Sequence, residues 1–139
     1  MIVMVVDGQG GGIGAAIIKG LREFSGDVPE IWALGTNSIA TSRMMKAGAN
    51  RGATGENAII WSSPRADVIA GPLAIIMANA MMGELTSGMA EAVSSSLATK
   101  ILIPLTQEKV RIVGVTGEPL PHLVENLVEV IGKMGAGDA

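Results

Sequence analysis

No cysteine occurs anywhere in this chain, and tyrosine is also missing. The first absence excludes disulfides, a thiol nucleophile and any cysteine-based metal site. The single histidine, His122, excludes a zinc centre built on several histidines. Aromatic residues make up only 2% of the chain, so the core must be assembled from Ile, Val, Leu, Ala and nine Met. Positive charge is sparse and scattered: ten Lys and Arg against thirteen Asp and Glu give a net charge of −3. That balance argues against a nucleic-acid surface. Long apolar runs are lacking too. The longest uncharged stretch, between Asp67 and Glu84, has 16 residues and contains Gly71, Pro72 and Asn79. It is too short and too interrupted to span a membrane. A first strand expected from residue 2 predicts no signal peptide and a soluble cytoplasmic protein. At 139 residues the expectation is a single domain over 1–134 with a frayed tail at 135–139.

What the chain has in abundance is glycine, concentrated near its start. Ile2–Val6 is apolar on both faces, as a buried parallel strand should be. Asp7 ends it, and Gly8, Gln9, Gly10, Gly11 and Gly12 follow. Ile13, Ile17, Ile18, Leu21 and Phe24 then recur with helical spacing, with Lys19, Arg22 and Glu23 on the other side. The glycines therefore join a strand to a helix. Glycine lets a ligand approach the backbone closely, and the helix start aims unpaired N–H groups and a positive dipole end at the same spot. Strand, turn and helix together predict an anion site, most simply for phosphate. Gly8, Gly12 and Gly14 fit Gly-x-x-x-Gly-x-Gly, whereas Ile13 breaks the alternative Gly-x-Gly-x-x-Gly. No Lys-Ser/Thr follows, which excludes a triphosphate P-loop. Asp7 at the mouth would repel a pyrophosphate unless it caps a backbone N–H, meets a hydroxyl or holds a cation. Gln9 either touches ligand or faces water.

Ser25–Pro29 reads as a turn and Glu30–Leu34 as a second strand, ending in Gly35-Thr36-Asn37. In a Rossmann unit an acidic residue at this point holds the ribose of NAD. Here Thr36, Asn37 and Ser38 are neutral and Arg43 follows, which leaves NADP, a mononucleotide or a smaller phosphate ester open. Equally, Thr36-Asn37-Ser38 caps the next helix, Ile39–Ala47. Ala49–Asn57 reads as a long polar loop carrying Arg51, Thr54, Glu56 and Asn57, either a polar cluster or a helix start with Thr54 as cap. Ala58–Trp61 is ambiguous between helix and strand. Arg65–Gly71 is a strand whose exit, Gly71-Pro72, closes over the bound group.

Leu73–Met82 is apolar nearly all round and predicts a buried helix at a homo-oligomer interface. Thr86 or Ser87 caps a helix bearing Met89, Val93 and Leu97. Ser94-Ser95-Ser96 lacks the spacing of a nucleophile elbow. Lys100–Leu105 and Val110–Val115, separated by four residues, predict an antiparallel hairpin and hence a mixed sheet. Leu120, Leu123, Val124, Leu127, Val128, Ile131 and Met134 form the clearest helical stripe, with His122 on the solvated side.

The segments 7–14, 33–37, 47–50 and 53–58, continuing through Ala66–Pro72 and Gly83–Thr86, resemble a family of small bacterial proteins known only as a domain of unknown function. The likeness spans essentially the full chain and implies no site or substrate. The glycine turn and the strand near Ala70 also resemble short-chain dehydrogenases. Those enzymes use a Tyr with a Lys four residues later, and this chain has no Tyr.

The expectation is therefore an α/β Rossmann-like three-layer sandwich, mostly parallel with a C-terminal antiparallel hairpin. It binds a small phosphorylated ligand through Asp7, Gly8, Gln9, Gly10, Gly11, Gly12, Ile13, Thr36, Asn37, Gly71 and Pro72, with NADP or another nucleotide as the cofactor and no metal. The alternatives are a non-dehydrogenase enzyme using the carboxylates of Asp7, Glu56 or Glu84, and a structural oligomer with an empty glycine turn.

Overall fold

The computed structural model describes residues 1–24 and 30–135. The predicted turn at 25–29 and the predicted tail, apart from Gly135, lie outside them; Gly135 belongs to the last helix and not to a tail. β1 (Ile2–Asp7), α1 (Gly12–Glu23), β2 (Glu30–Gly35), α2 (Ser38–Lys46), β3 (Arg51–Thr54), α3 (Glu56–Ser62), β4 (Val68–Pro72), α4 (Ser87–Ser95), β5 (Thr99–Ile103) and α5 (Leu120–Gly135) follow in order. Short 3₁₀ turns occupy Ser63–Arg65 and Leu73–Ile76.

Among the described residues the sheet has five strands in the order β3-β2-β1-β4-β5, all parallel. β1 is central because its residues have apolar neighbours on both faces. Val3 and Val5 pack with Ile17, Ile18, Met44, Leu127 and Ile131 of α1, α2 and α5. Met4 and Val6 pack with Ile59, Met89 and Val93 of α3 and α4. This alternation makes three layers, helix, sheet and helix, in a Rossmann-like arrangement. The strand order reverses at β1, so the crevice beyond its C-terminal end is where such sheets bind ligands. No helix among the described residues is long and apolar enough to cross a membrane.

Four expectations need correction. First, no C-terminal hairpin forms. β5 pairs in parallel with β4, and Val110–Val115 lies outside the sheet with Val113 fully exposed. Pro104 cannot continue a ladder, and Glu108 accepts a hydrogen bond from Met81 N at 2.7 Å, which holds the chain over the sheet's end. Second, residues 51–54 are not loop but the edge strand β3. All four residues are exposed, so the strand has no apolar run. Thr54 therefore ends a strand, and Gly55 takes the cap position of α3. Third, Leu73–Met82 is not a helix. One 3₁₀ turn is followed by a chain reversal in which Asn79, Met81 and Met82 all take positive φ. Its apolar residues divide: Ala74, Ile75 and Ala80 enter this chain's own core, and Met82 stands fully exposed. Fourth, α4 stops at Ser95, so Leu97 projects into solvent.

Elsewhere the local chemistry acts as anticipated. Asn37 Oδ1 accepts from Ala40 N at 2.8 Å and Thr86 Oγ1 from Met89 N at 3.1 Å, each capping its helix. Ala58–Trp61 resolves as helix α3. α5 buries Val124, Leu127, Val128 and Ile131 and leaves His122 exposed.

Candidate functional site

The glycines of the first turn differ in why they are glycines. Gly11 takes φ 72° with its α-carbon against Ala40, where a β-carbon would stand 2.8 Å from the Ala40 Cα. At Gly14 a β-carbon would meet Met44 Sδ at 2.5 Å and Asp7 Cβ at 2.9 Å. At Gly8 it would meet Met81 Sδ and Thr36 Oγ1, both at 2.5 Å. These three are required by packing. Gly10 and Gly12 are not. A β-carbon there would find only the Arg43 guanidinium, at 3.8 and 3.5 Å respectively. Among the described residues the amides of Gly10 and Gly12 also have no hydrogen-bond partner, whereas Gly11 N donates to Gly8 O at 2.9 Å. Arg43 Nη1 donates to Gly10 O at 3.2 Å, which sets its cationic head beside both glycines.

Asp7 caps the turn, one of the roles its position allowed. Oδ1 accepts from Gly8 N at 2.8 Å and Oδ2 from Gly14 N at 2.7 Å, with the residue only 4% exposed. Burial lifts its pKa above the ordinary carboxylate value, and the amides of Gly14, Gly8 and Ile13 offset this only in part. A raised folded pKa means that Asp7's contribution to stability is full below the unfolded value. It is lost as pH rises through the folded one. Stability of Asp7→Asn should therefore fall less steeply than that of the natural chain as pH rises out of the acid range. Parallel denaturation curves across that window would contradict this.

A second carboxylate lies across the mouth. Glu84 Oε1 accepts from Gln9 N at 2.7 Å, from Asn37 Nδ2 at 2.5 Å and from Thr36 Oγ1. Partial burial raises its pKa, but the bonds from Thr36, Gln9 and Asn37 outweigh burial and hold it below the usual carboxylate range. Thr36 and Asn37, expected to face ligand at the end of β2, thus both donate to Glu84. Glu84 is delivered by the reversal that carries three non-glycine residues with positive φ. Left-handed conformations at Met81 and Met82 cost of order 1 kcal/mol each and persist only because the surroundings impose them. Met81 is fixed through its bond to Glu108, and Leu85, at the end of the reversal, is completely buried.

Between the turn and the segment after β5 runs a cleft of about 430 Å³, bordered by Gln9, Ile13, Pro72, Met81, Thr106 and Glu108. That volume suits a small ligand. Of the sequence-predicted residues, Gln9, Ile13 and Pro72 line this cleft. Gly71 is not among the lining residues; it packs against β1, where a β-carbon would strike Val6 O at 2.3 Å. The polar cluster does not converge on the turn. Arg51 pairs with Glu30 at 3.2 Å, Thr54 Oγ1 lies 2.7 Å from Thr41 Oγ1, and Glu56 accepts from Thr86 Oγ1. Arg51, Thr54 and Asn57 instead border a separate groove of about 440 Å³ beside β3. Trp32 and Trp61 also line it, stacked with centroids 6.3 Å apart, and the Arg65 guanidinium lies 3.7 Å over the Trp61 ring. Among the described residues no cluster of three or more His, Cys, Asp or Glu could hold a metal.

Sequence reasoning did not anticipate that Glu84 would reach the turn. It lies 48 residues from Thr36, and the apolar run Leu73–Met82 hides the reversal that delivers it, although Asn79 and Gly83 bound that reversal. Arg43 was visible only as a nearby charge.

Residues 2–135 match the model of a family described as a domain of unknown function, DUF3842. No curated protein matches the chain. Among solved structures the chain is similar to a dodecameric FMN-dependent Ubix-like decarboxylase from Escherichia coli O157:H7. Identity is 17% and the TM-score 0.47, over 97% of this chain and 76% of that one.

Proposed function

The chain belongs to the DUF3842 family, whose model spans nearly all of it, and we propose from its own geometry that it binds a small phosphorylated ligand of mononucleotide size. The phosphoryl group takes the free amides of Gly10 and Gly12 beside Arg43, and the rest of the ligand occupies the adjoining cleft. One observation carries this reading: Gly10 and Gly12 are glycines that no neighbour in the fold requires. Bare backbone is useful where a ligand must come close, and two amides flanked by a guanidinium suit an oxyanion.

NADP fits poorly. Its 2′-phosphate would lie at the end of β2, where Glu84 already occupies Thr36 and Asn37 as an anion. The enzyme alternative draws less support, because both Asp7 oxygens are engaged by backbone amides and Glu56 bonds Thr86 rather than facing the cleft.

A thermal-shift series with inorganic phosphate, 5′-AMP, FMN, NAD and NADP tests the reading. The mononucleotides should raise the melting temperature, by an amount set by their concentration relative to Kd, and NADP should raise it least. Silence from every phosphorylated compound would overturn the proposal.

A further inference from the structure

Glu84 does more than close the turn. All three of its hydrogen bonds fall on Oε1, and among the described residues Oε2 accepts none. The carboxylate is only half-buried, so that second oxygen is accessible. Its donors are the turn amide of Gln9 and the two side chains that end β2. In this sheet architecture that is where the sugar of a bound nucleotide lies when an acidic residue receives its hydroxyls. The second strand of this chain supplies no such acid. The reversal before α4 delivers one to the same place from another part of the sequence.

We propose that Glu84 is a specificity-determining residue, accepting hydroxyl groups of the ligand at the end of β2 and excluding a second phosphoryl group there. This rests on the phosphate reading above and extends it. The mouth then has two ends of opposite character. Gly10, Gly12 and Arg43 take one anionic group. Glu84, with Asp7 buried behind it, refuses another. Like charges at close range repel, and more strongly near a protein surface than in bulk water. A phosphoryl group at this end would therefore be disfavoured by about tenfold or more. The ligand class that follows is a phosphomonoester with free hydroxyls, such as a 5′-ribonucleotide.

Calorimetric titration of 5′-AMP and adenosine 2′,5′-bisphosphate into the natural chain and Glu84→Gln tests this. The natural chain should prefer 5′-AMP by about tenfold, and in Glu84→Gln the preference should shrink to about threefold or less. Glutamine keeps an acceptor for Thr36 and Asn37 while removing the charge. Glu84→Asp, which keeps the charge, should retain a preference for 5′-AMP and controls for loss of folding. Equal affinity of both compounds for the natural chain, or an unchanged preference in Glu84→Gln, would overturn the role of Glu84 and leave the phosphate reading standing. Failure of both compounds to bind any form would instead overturn the phosphate reading.

Discussion

Gly71→Ala is expected to destabilise the chain by about 3 kcal/mol, the upper range for forcing an extra methyl into a packed core. The reason is the crowding between β4 and β1. A β-carbon at Gly71 would stand 2.3 Å from Val6 O, a backbone atom in the central strand, and 3.1 Å from Ile75 Cδ1. Ile75 could rotate, but the carbonyl cannot move without disturbing the β1–β4 ladder at Val3–Val68, Met4–Ile69 and Val5–Ala70. For a chain of this size the loss corresponds to a melting temperature lower by about 10 °C. Gly117→Ala is the matching control, because nothing lies within 4 Å of a β-carbon there. Chemical denaturation of both variants decides the matter. A cost at Gly71 no larger than that at Gly117 would show that the strands separate easily at this point.

Gly12→Val should do the reverse, sparing the fold and removing binding. A side chain at Gly12 meets only the Arg43 guanidinium at 3.5 Å, the far end of a flexible chain that can swing away. Stability should change by about 1 kcal/mol or less, since valine is tolerated in the first turn of a helix at modest cost. Affinity for a phosphorylated ligand should fall by about 100-fold, equivalent to about 2.7 kcal/mol, because the branched side chain covers two amides and displaces the cation beside them. Arg43→Ala should weaken binding by about tenfold and flatten its dependence on salt, as removal of an exposed charge does. Denaturation and titration of the same preparations separate the two effects. A Gly12→Val protein that binds as well as the natural chain would move the site elsewhere.

Those outcomes depend on features that differ in how plainly the sequence displays them. β1, the glycine turn and α1 were legible because a continuous apolar run, a glycine cluster and a helical stripe follow one another abruptly. The stripe on α5 was legible because four buried residues recur on one face with nothing polar among them. Caps at Asn37 and Thr86 were legible because short polar side chains bond the backbone three residues ahead. β3 was hidden, since an edge strand with four exposed residues has no apolar pattern. Val110–Val115 misled for the opposite reason. Its β-branched residues favour a strand locally, but β5 already ends at Ile103 and Glu108 ties the following chain across the cleft. The reversal at Asn79–Gly83 has asparagine and glycine at its ends, but Met81 and Met82 between them extend the apolar run that suggests a helix. The distinction between Gly10 or Gly12 and the other turn glycines needed three dimensions. It depends on Ala40, Met44 and Met81, which the sequence does not place beside the turn.

The most direct measurement is an amide-resolved nuclear magnetic resonance titration of the ¹⁵N-labelled chain, small enough at 14.2 kDa for complete spectra, with 5′-AMP. Saturable shifts should centre on the amides of Gly10 and Gly12 and the side chain of Arg43, with smaller changes at Gln9 and Ile13. No saturable change at Gly10 and Gly12, or shifts confined to the Trp61 groove beside β3, would contradict a phosphoryl site at the first turn.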